Sequence, residues 1–461
     1  MTRIWSLVFL ALALVAPSAF AQSATPALSA VAGGLINPYG FAFGAGGQLI
    51  VAETGTGGDQ PAPEDVPAPA GPYLGGLTGR ISRIDAGCPV PLAADLGSAR
   101  AESGQTLGPS AVAVIGDTIY ALLAGGGVAH ANPDQPAGVY DVTSGSPALI
   151  ADLGAWLRAN PVVAPPAEGF DPDGQWVAMA AAPDGASLVV VESNSEQVVR
   201  VGLDGAIARI ADLSAEDKAP SSVAIAPDGT IYVGNMSQPP YATGSASVIR
   251  IGSDGAAETV WSGLTLVSGI AIDGRGTLYA AEFSAGRDRP PVIQPGTGRI
   301  IRQTGVDTVD EVATQLNLPT AIAFGPDGAL FVSLPLVGAD AGTGVILRVD
   351  TSAELPLVAE NFDLTPPSCG APSDTVLIKV SDLGLDPASV TITAGMTVTW
   401  RNTGEFDHAV VSDPASPVQW DSGPLRPGEE FSQTFDQPGT YAYADGVFPD
   451  HTGTIEVVSG G

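Results

Sequence analysis

The chain has 461 residues, 45% of them apolar, with 58 Gly and 40 Pro. Acidic residues outnumber basic ones 49 to 18, and the net charge of −31 argues against nucleic acid or an anionic membrane surface as partner. So many turn formers and so few charges speak for short strands, few helices and two or three domains.

Residues 1–21 carry Arg3, an apolar run from Ile4 to Ala16, and Ala19-Phe20-Ala21. That run is too short to cross a bilayer and has the flanks of a secretory signal peptide. Cleavage before Gln22 would leave a secreted or periplasmic protein with no membrane span. In an oxidising compartment the two cysteines, Cys88 and Cys369, are expected to form one disulfide closing a very long loop. Two separate buried thiols are the alternative.

Internal repetition governs residues 22–362. Y-G-F-A-F-G-A-G-G-Q-L-I-V-A-E (39–53) and S-A-V-A-V-I-G-D-T-I-Y-A-L-L (110–123) share a pattern: an apolar strand around a central Ala, a Gly turn, and a second strand. It returns at 177–192, 222–235, 268–282 and 320–334, in most cases followed by a third strand such as Q-V-V-R-V or S-V-I-R-I, then a weaker fourth. The P-D-G and G-D turns suit tight hairpins. Four antiparallel strands repeated six times predict a six-bladed β-propeller. Two segments compete to close its ring: the outer strand at 27–35 and P-L-V-A-E-N-F at 356–362. Linker composition follows over 363–375. From 376 to 461, alternating strands predict a small β-sandwich.

The second strands end on Glu53, Leu123, Glu192, Asn235, Glu282 and Leu334, equivalent positions that form a ring about a propeller axis. Three carboxylates and an amide converging there would suit Ca²⁺, which prefers oxygen ligands. His130 lies in another loop of the same face and is the propeller's one candidate general base. The alternative is that these side chains cap strand ends and hydrogen-bond loop backbone.

Two resemblances add to this reading. L-I-V-A-E-T-G-T-G-G (49–58), L-T-G-R-I-S-R-I (77–84) and A-S-V-I-R-I-G-S-D-G (246–255) resemble the ScyD/ScyE family of secreted propellers, which implies fold and export but no particular chemistry. In its architecture the propeller is similar to calcium-dependent propeller hydrolases and sugar dehydrogenases.

The sandwich resembles plastocyanin and related cupredoxins through P-A-S-V-T-I-T-A-G-M-T-V-T-W-R-N (387–402), D-H-A-V (407–410) and P-G-T-Y-A-Y (438–443). The family loop runs Y-x-Y-x-C-x-x-H-P-x-M-x-G, and Tyr441, Tyr443, Pro449 and Gly453 fall in register with it. By this resemblance Asp445 occupies the Cys place, Phe448 the second His and His451 the Met, while His408 matches its ligand. No cysteine lies beyond Cys369, so a type 1 copper–thiolate bond has no donor. His408, Asp445 and His451 are left as a residual candidate site for copper or zinc. The alternative is a site closed into packing by Phe448, with both histidines near the surface.

The reading that follows is an exported, non-catalytic binding or scaffold protein that engages a cation, glycan or protein through the propeller's loop face. One rival is a copper- or zinc-binding protein related to electron transfer. The other is a calcium-dependent propeller hydrolase or dehydrogenase.

Overall fold

Strands such as Ser187–Glu192 (S-L-V-V-V-E), buried at every position, show how the propeller is built. β-branched side chains favour the extended chain, and an unbroken apolar run fits a strand covered on both faces. Leu49–Glu53, Leu278–Glu282 and Leu330–Leu334 are buried end to end in the same way. Each is the second strand of its sheet.

The computed structural model describes residues 26–458 except 64–65, 69, 217, 237, 239–240, 286–292, 306–307, 336, 370–374 and 383. The leader expected at 1–21 lies outside the described residues. Those residues form six propeller sheets whose innermost strands are Pro38–Phe43, Pro109–Ile115, Trp176–Ala181, Pro220–Ile225, Val267–Ile272 and Ile322–Phe324. These sheets are blades 1 to 6. Their innermost strands together line a central cavity of about 470 Å³.

Seryl hydroxyls stitch neighbouring blades. Ser110 donates to the Trp176 carbonyl at 2.7 Å, Ser221 to Val267 at 2.5 Å, Ser268 to Pro319 at 2.7 Å and Ser333 to Tyr39 at 2.6 Å. The last of these joins blade 6 back to blade 1.

Ring closure resolves the competition between the two segments. Leu28–Leu35 is the outer strand of blade 6, paired antiparallel with Gly344–Val349 from Leu28↔Val349 to Leu35↔Gly344. The other segment supplies Leu357–Val358, which lies parallel to Thr308–Leu316 at the outer edge of blade 5. Cys88 and Cys369 are joined in a disulfide, with Cα atoms 5.4 Å apart. It ties the start of blade 1's outer strand to the tail that follows blade 6.

The C-terminal domain is a sandwich of two four-stranded sheets. One is ordered Gly384–Asp386, Thr375–Ser381, Met396–Asn402, Glu430–Phe435; the other Ser389–Thr393, Thr452–Val458, Gly439–Asp445, Val410–Ser412. Its core packs Trp400, Trp420, Phe435, Tyr441 and Tyr443 with Ile378, Val398 and Ile455. The rings meet edge-on or offset, as at 4.9 Å between Phe435 and Tyr441.

Candidate functional site

In the sandwich, Gly439–Asp445 pairs with Val410–Ser412 so that Asp445 faces Val410. His408 stands two residues before Val410 and is pinned by reciprocal backbone bonds with Leu425, at 3.0 and 2.7 Å. Its ring is wholly buried. Nδ1 lies 2.5 Å from Asp445 Oδ2, and Nε2 lies 3.0 Å from Asp382 Oδ1. Each ring nitrogen thus faces a carboxylate oxygen.

Burial alone would raise the Asp445 carboxyl. Donation from the Val447 N–H, from His408 and from the Ala409 N–H outweighs it and holds Asp445 below its ordinary value. Asp382 is lowered too, mainly by the Glu405 N–H and with help from His408.

The structure brings His408 and Asp445 into contact, and among the described residues no third ligand joins them in a metal-holding group. Phe448 packs against both imidazoles: its ring is 5.2 Å from His408 and stacks on His451 at 5.5 Å. The His451 backbone closes the loop by accepting from the Asp445 N–H at 2.9 Å, while its ring Nδ1 is buried without a hydrogen-bond partner. His408 also departs from the expectation of a surface position, because two carboxylates satisfy it inside the domain. Gly453 has a steric reason: a Cβ there would sit 2.2 Å from Tyr443 Cζ.

Residues 374–457 match the family model for copper binding proteins of the plastocyanin/azurin family. Plastocyanin from Scenedesmus fuscus is 41% identical over 69 residues, 13% of this chain and 70% of that protein. Through its C-terminal domain, the chain belongs to the plastocyanin/azurin family. Amicyanin-alpha from Methylorubrum extorquens is 34% identical over 89 residues, 19% of this chain and 75% of that protein. A structural-genomics protein of unknown function from Bacteroides thetaiotaomicron covers 70% of this chain and 75% of its own, at 14% identity and a TM-score of 0.45.

The family implies copper, and the donors present do not fit it. No thiolate is available, and both ring nitrogens of His408 are engaged by carboxylates of the domain itself. Among the described residues, no group of three or more His, Cys, Asp or Glu is arranged to hold a metal ion.

In the propeller, Glu53, Glu192, Asn235 and Glu282 all have zero exposure. They do not converge; each is bound within its own blade. Glu53 accepts from the Ile36 N–H at 2.7 Å, Glu192 from Gln175 at 2.8 Å and Glu282 from Thr265 at 2.8 Å, a separation of 17 residues each time. The second partner differs between blades. Arg80 grips Glu53 with Nε and Nη2, both at 2.7 Å, and Arg299 Nε reaches Glu282 at 2.6 Å. Glu192 has only uncharged donors, Asn194 N–H and the Ser195 N–H and hydroxyl. Burial therefore pushes Glu192 up to about 7, although those bonds pull it down. Asn235 exchanges hydrogen bonds with Ser247. The calcium ring is thus corrected to a set of strand-end locks, for a physical reason: a carboxylate with two or three internal donors has no need to face the axis.

His130 is corrected as well. It is buried, with Nδ1 donating to the Gly126 carbonyl at 2.7 Å and Nε2 lying 2.9 Å from Asp171 Oδ2. Burial alone would lower His130, but the charge of Asp171 and its hydrogen bond outweigh burial and raise it. Asp171 is lowered by the same pairing against its own burial. Such an imidazolium cannot act as an accessible general base. Asp171, Asp173 and Tyr73 complete the cluster and were missed from sequence; the signal was D-P-D-G at 171–174. Asp382 carried no signal.

Proposed function

We propose that this is an exported, non-catalytic binding protein whose propeller loop face engages a ligand in the envelope or outside the cell. Its cupredoxin domain serves as a metal-free module. The observation that carries this reading is the contact between His408 Nδ1 and Asp445, a carboxylate standing where the family loop has its thiolate. Export is supported by the leader-like residues 1–21, by the resemblance to ScyD/ScyE propellers and by the disulfide, which suits an oxidising compartment. Among the described residues no helix is long and apolar enough to cross a membrane.

Copper titration of the purified full chain, read by metal content and visible absorption, tests the metal-free reading. The expected result is no stoichiometric copper and no charge-transfer band. One equivalent of copper, lost in His408→Ala, would overturn it. A second reading, copper or zinc held by His408, Asp445 and His451, has one observation in its favour: the unpartnered Nδ1 of His451. It requires His408 to give up a carboxylate contact and His451 to turn from its stacking on Phe448.

A further inference from the structure

At the loop face the central channel opens into a second cavity of about 420 Å³, to which all six blades contribute. Its size is that of a small-molecule site. Tyr39, Ser110, Val177 and Ser221 line both this cavity and the central one, so the two are continuous at that level. Among the described residues, no Asp, Glu, Lys, Arg or His lines it. In a chain of net charge −31 the described lining is neutral. Tyr241, Leu266, Phe283, Ile293 and Val337 supply an apolar, partly aromatic wall.

One polar group in this wall is held from behind. Gln175 lines the cavity, and its Nε2 donates to the Tyr73 hydroxyl at 3.0 Å. Tyr73 gives its own proton to Asp171 Oδ2 at 3.1 Å, and the same oxygen takes the Nε2 proton of His130. Tyr73 can receive only a donor from Gln175, so the amide cannot flip, and its Oε1 is left as an acceptor. The buried His130–Asp171 pair, which no catalytic role absorbs, thereby fixes the sense of this amide. Burial pushes the Tyr39 phenol up to about 12, which keeps it a neutral donor at ordinary pH.

We infer that the mouth of the propeller channel binds an uncharged, largely apolar aromatic molecule carrying one hydrogen-bond donor, with Gln175 Oε1 as its acceptor. This rests on the loop face being the binding surface and replaces the cation, glycan or protein expected from sequence with a small neutral molecule.

The test uses the full chain and N-phenyl-1-naphthylamine, a neutral aromatic amine whose fluorescence rises on entering an apolar site. Saturable one-to-one binding is expected. Val337→Trp, at the partly exposed rim, should abolish it, and Gln175→Leu should weaken it about tenfold, the size of one hydrogen bond. The anionic analogue 8-anilinonaphthalene-1-sulfonate should bind at least about tenfold more weakly, because no cation lines the wall among the described residues. Circular dichroism melts show whether each variant is folded. No saturable binding of the neutral probe overturns the small-molecule site while leaving the loop face open to other ligand classes. Saturable binding that ignores Val337→Trp places the ligand outside this cavity and overturns the proposed site. Equal binding of the anionic probe, or a Gln175→Leu variant that binds as tightly as the native chain, overturns the ligand class.

Discussion

Glu53 of the propeller and Asp445 of the sandwich are both carboxylates with no solvent exposure, and each ends a strand. Each accepts from a backbone N–H and from a basic side chain, Arg80 in one case and His408 in the other. What separates them is their context in the chain. Glu53 has counterparts in Glu192 and Glu282, which accept from the same relative backbone position, so the device belongs to the scaffold. Asp445 has no counterpart, and its partner is the one side chain that matches a family ligand. Repetition across blades marks a structural lock. A carboxylate without a counterpart marks a feature particular to the sandwich.

The largest expected effect separates the two domains. The Cys88–Cys369 bridge ties the propeller to the tail that follows it and closes a loop of 281 residues, and the sandwich has no such cross-link. Chain-entropy arguments put its stabilisation at up to about 5 kcal/mol. Reduction should lower the propeller's calorimetric transition and leave the sandwich's own transition unchanged. A common shift of both would break the comparison.

Next is Asp445→Ala, which leaves the buried His408 ring without its Nδ1 partner and should cost the sandwich about 3 kcal/mol. Denaturant unfolding measures it. A loss below about 1 kcal/mol would mean that Asp445 contributes little to stability.

The third prediction compares the blades among themselves. Glu192 titrates near 7 when folded, against 4.5 for its ordinary value. Between those values the folded chain holds a proton that the unfolded chain has released. Stability should therefore fall as pH rises through this window, by up to about 3 kcal/mol. In Glu192→Gln that component of the pH dependence should vanish, while Glu53→Gln, whose arginine partner remains, should keep it. Melts between pH 5 and 8 decide.

The smallest effect is Ser333→Ala, which removes the hydroxyl bond from blade 6 to the Tyr39 carbonyl and should cost about 1 kcal/mol.

Much of the fold was legible because it rests on local signals. The 39–53 pattern and its five returns need only strand periodicity and Gly turns, and six sheets result. Ring closure was not legible: 27–35 and 356–362 have similar local character, and only the register Leu28↔Val349 separates them. At the site, equivalence of Glu53, Glu192 and Glu282 could be counted, but their direction could not. Arg80 lies 27 residues from Glu53 and Arg299 lies 17 from Glu282. The same limit hid His130, whose partner Asp171 is 41 residues away, and Asp382, 26 residues from His408.

By itself the sequence determined the all-β architecture, the two domains and the lack of a copper thiolate, because strand periodicity, repeat length and residue identity are properties of the chain alone. Tertiary structure alone decided where each buried charge finds its partner. Burying a charge is tolerable only with a donor or counter-charge within about 3 Å, and folding brings those groups together from distant parts of the chain.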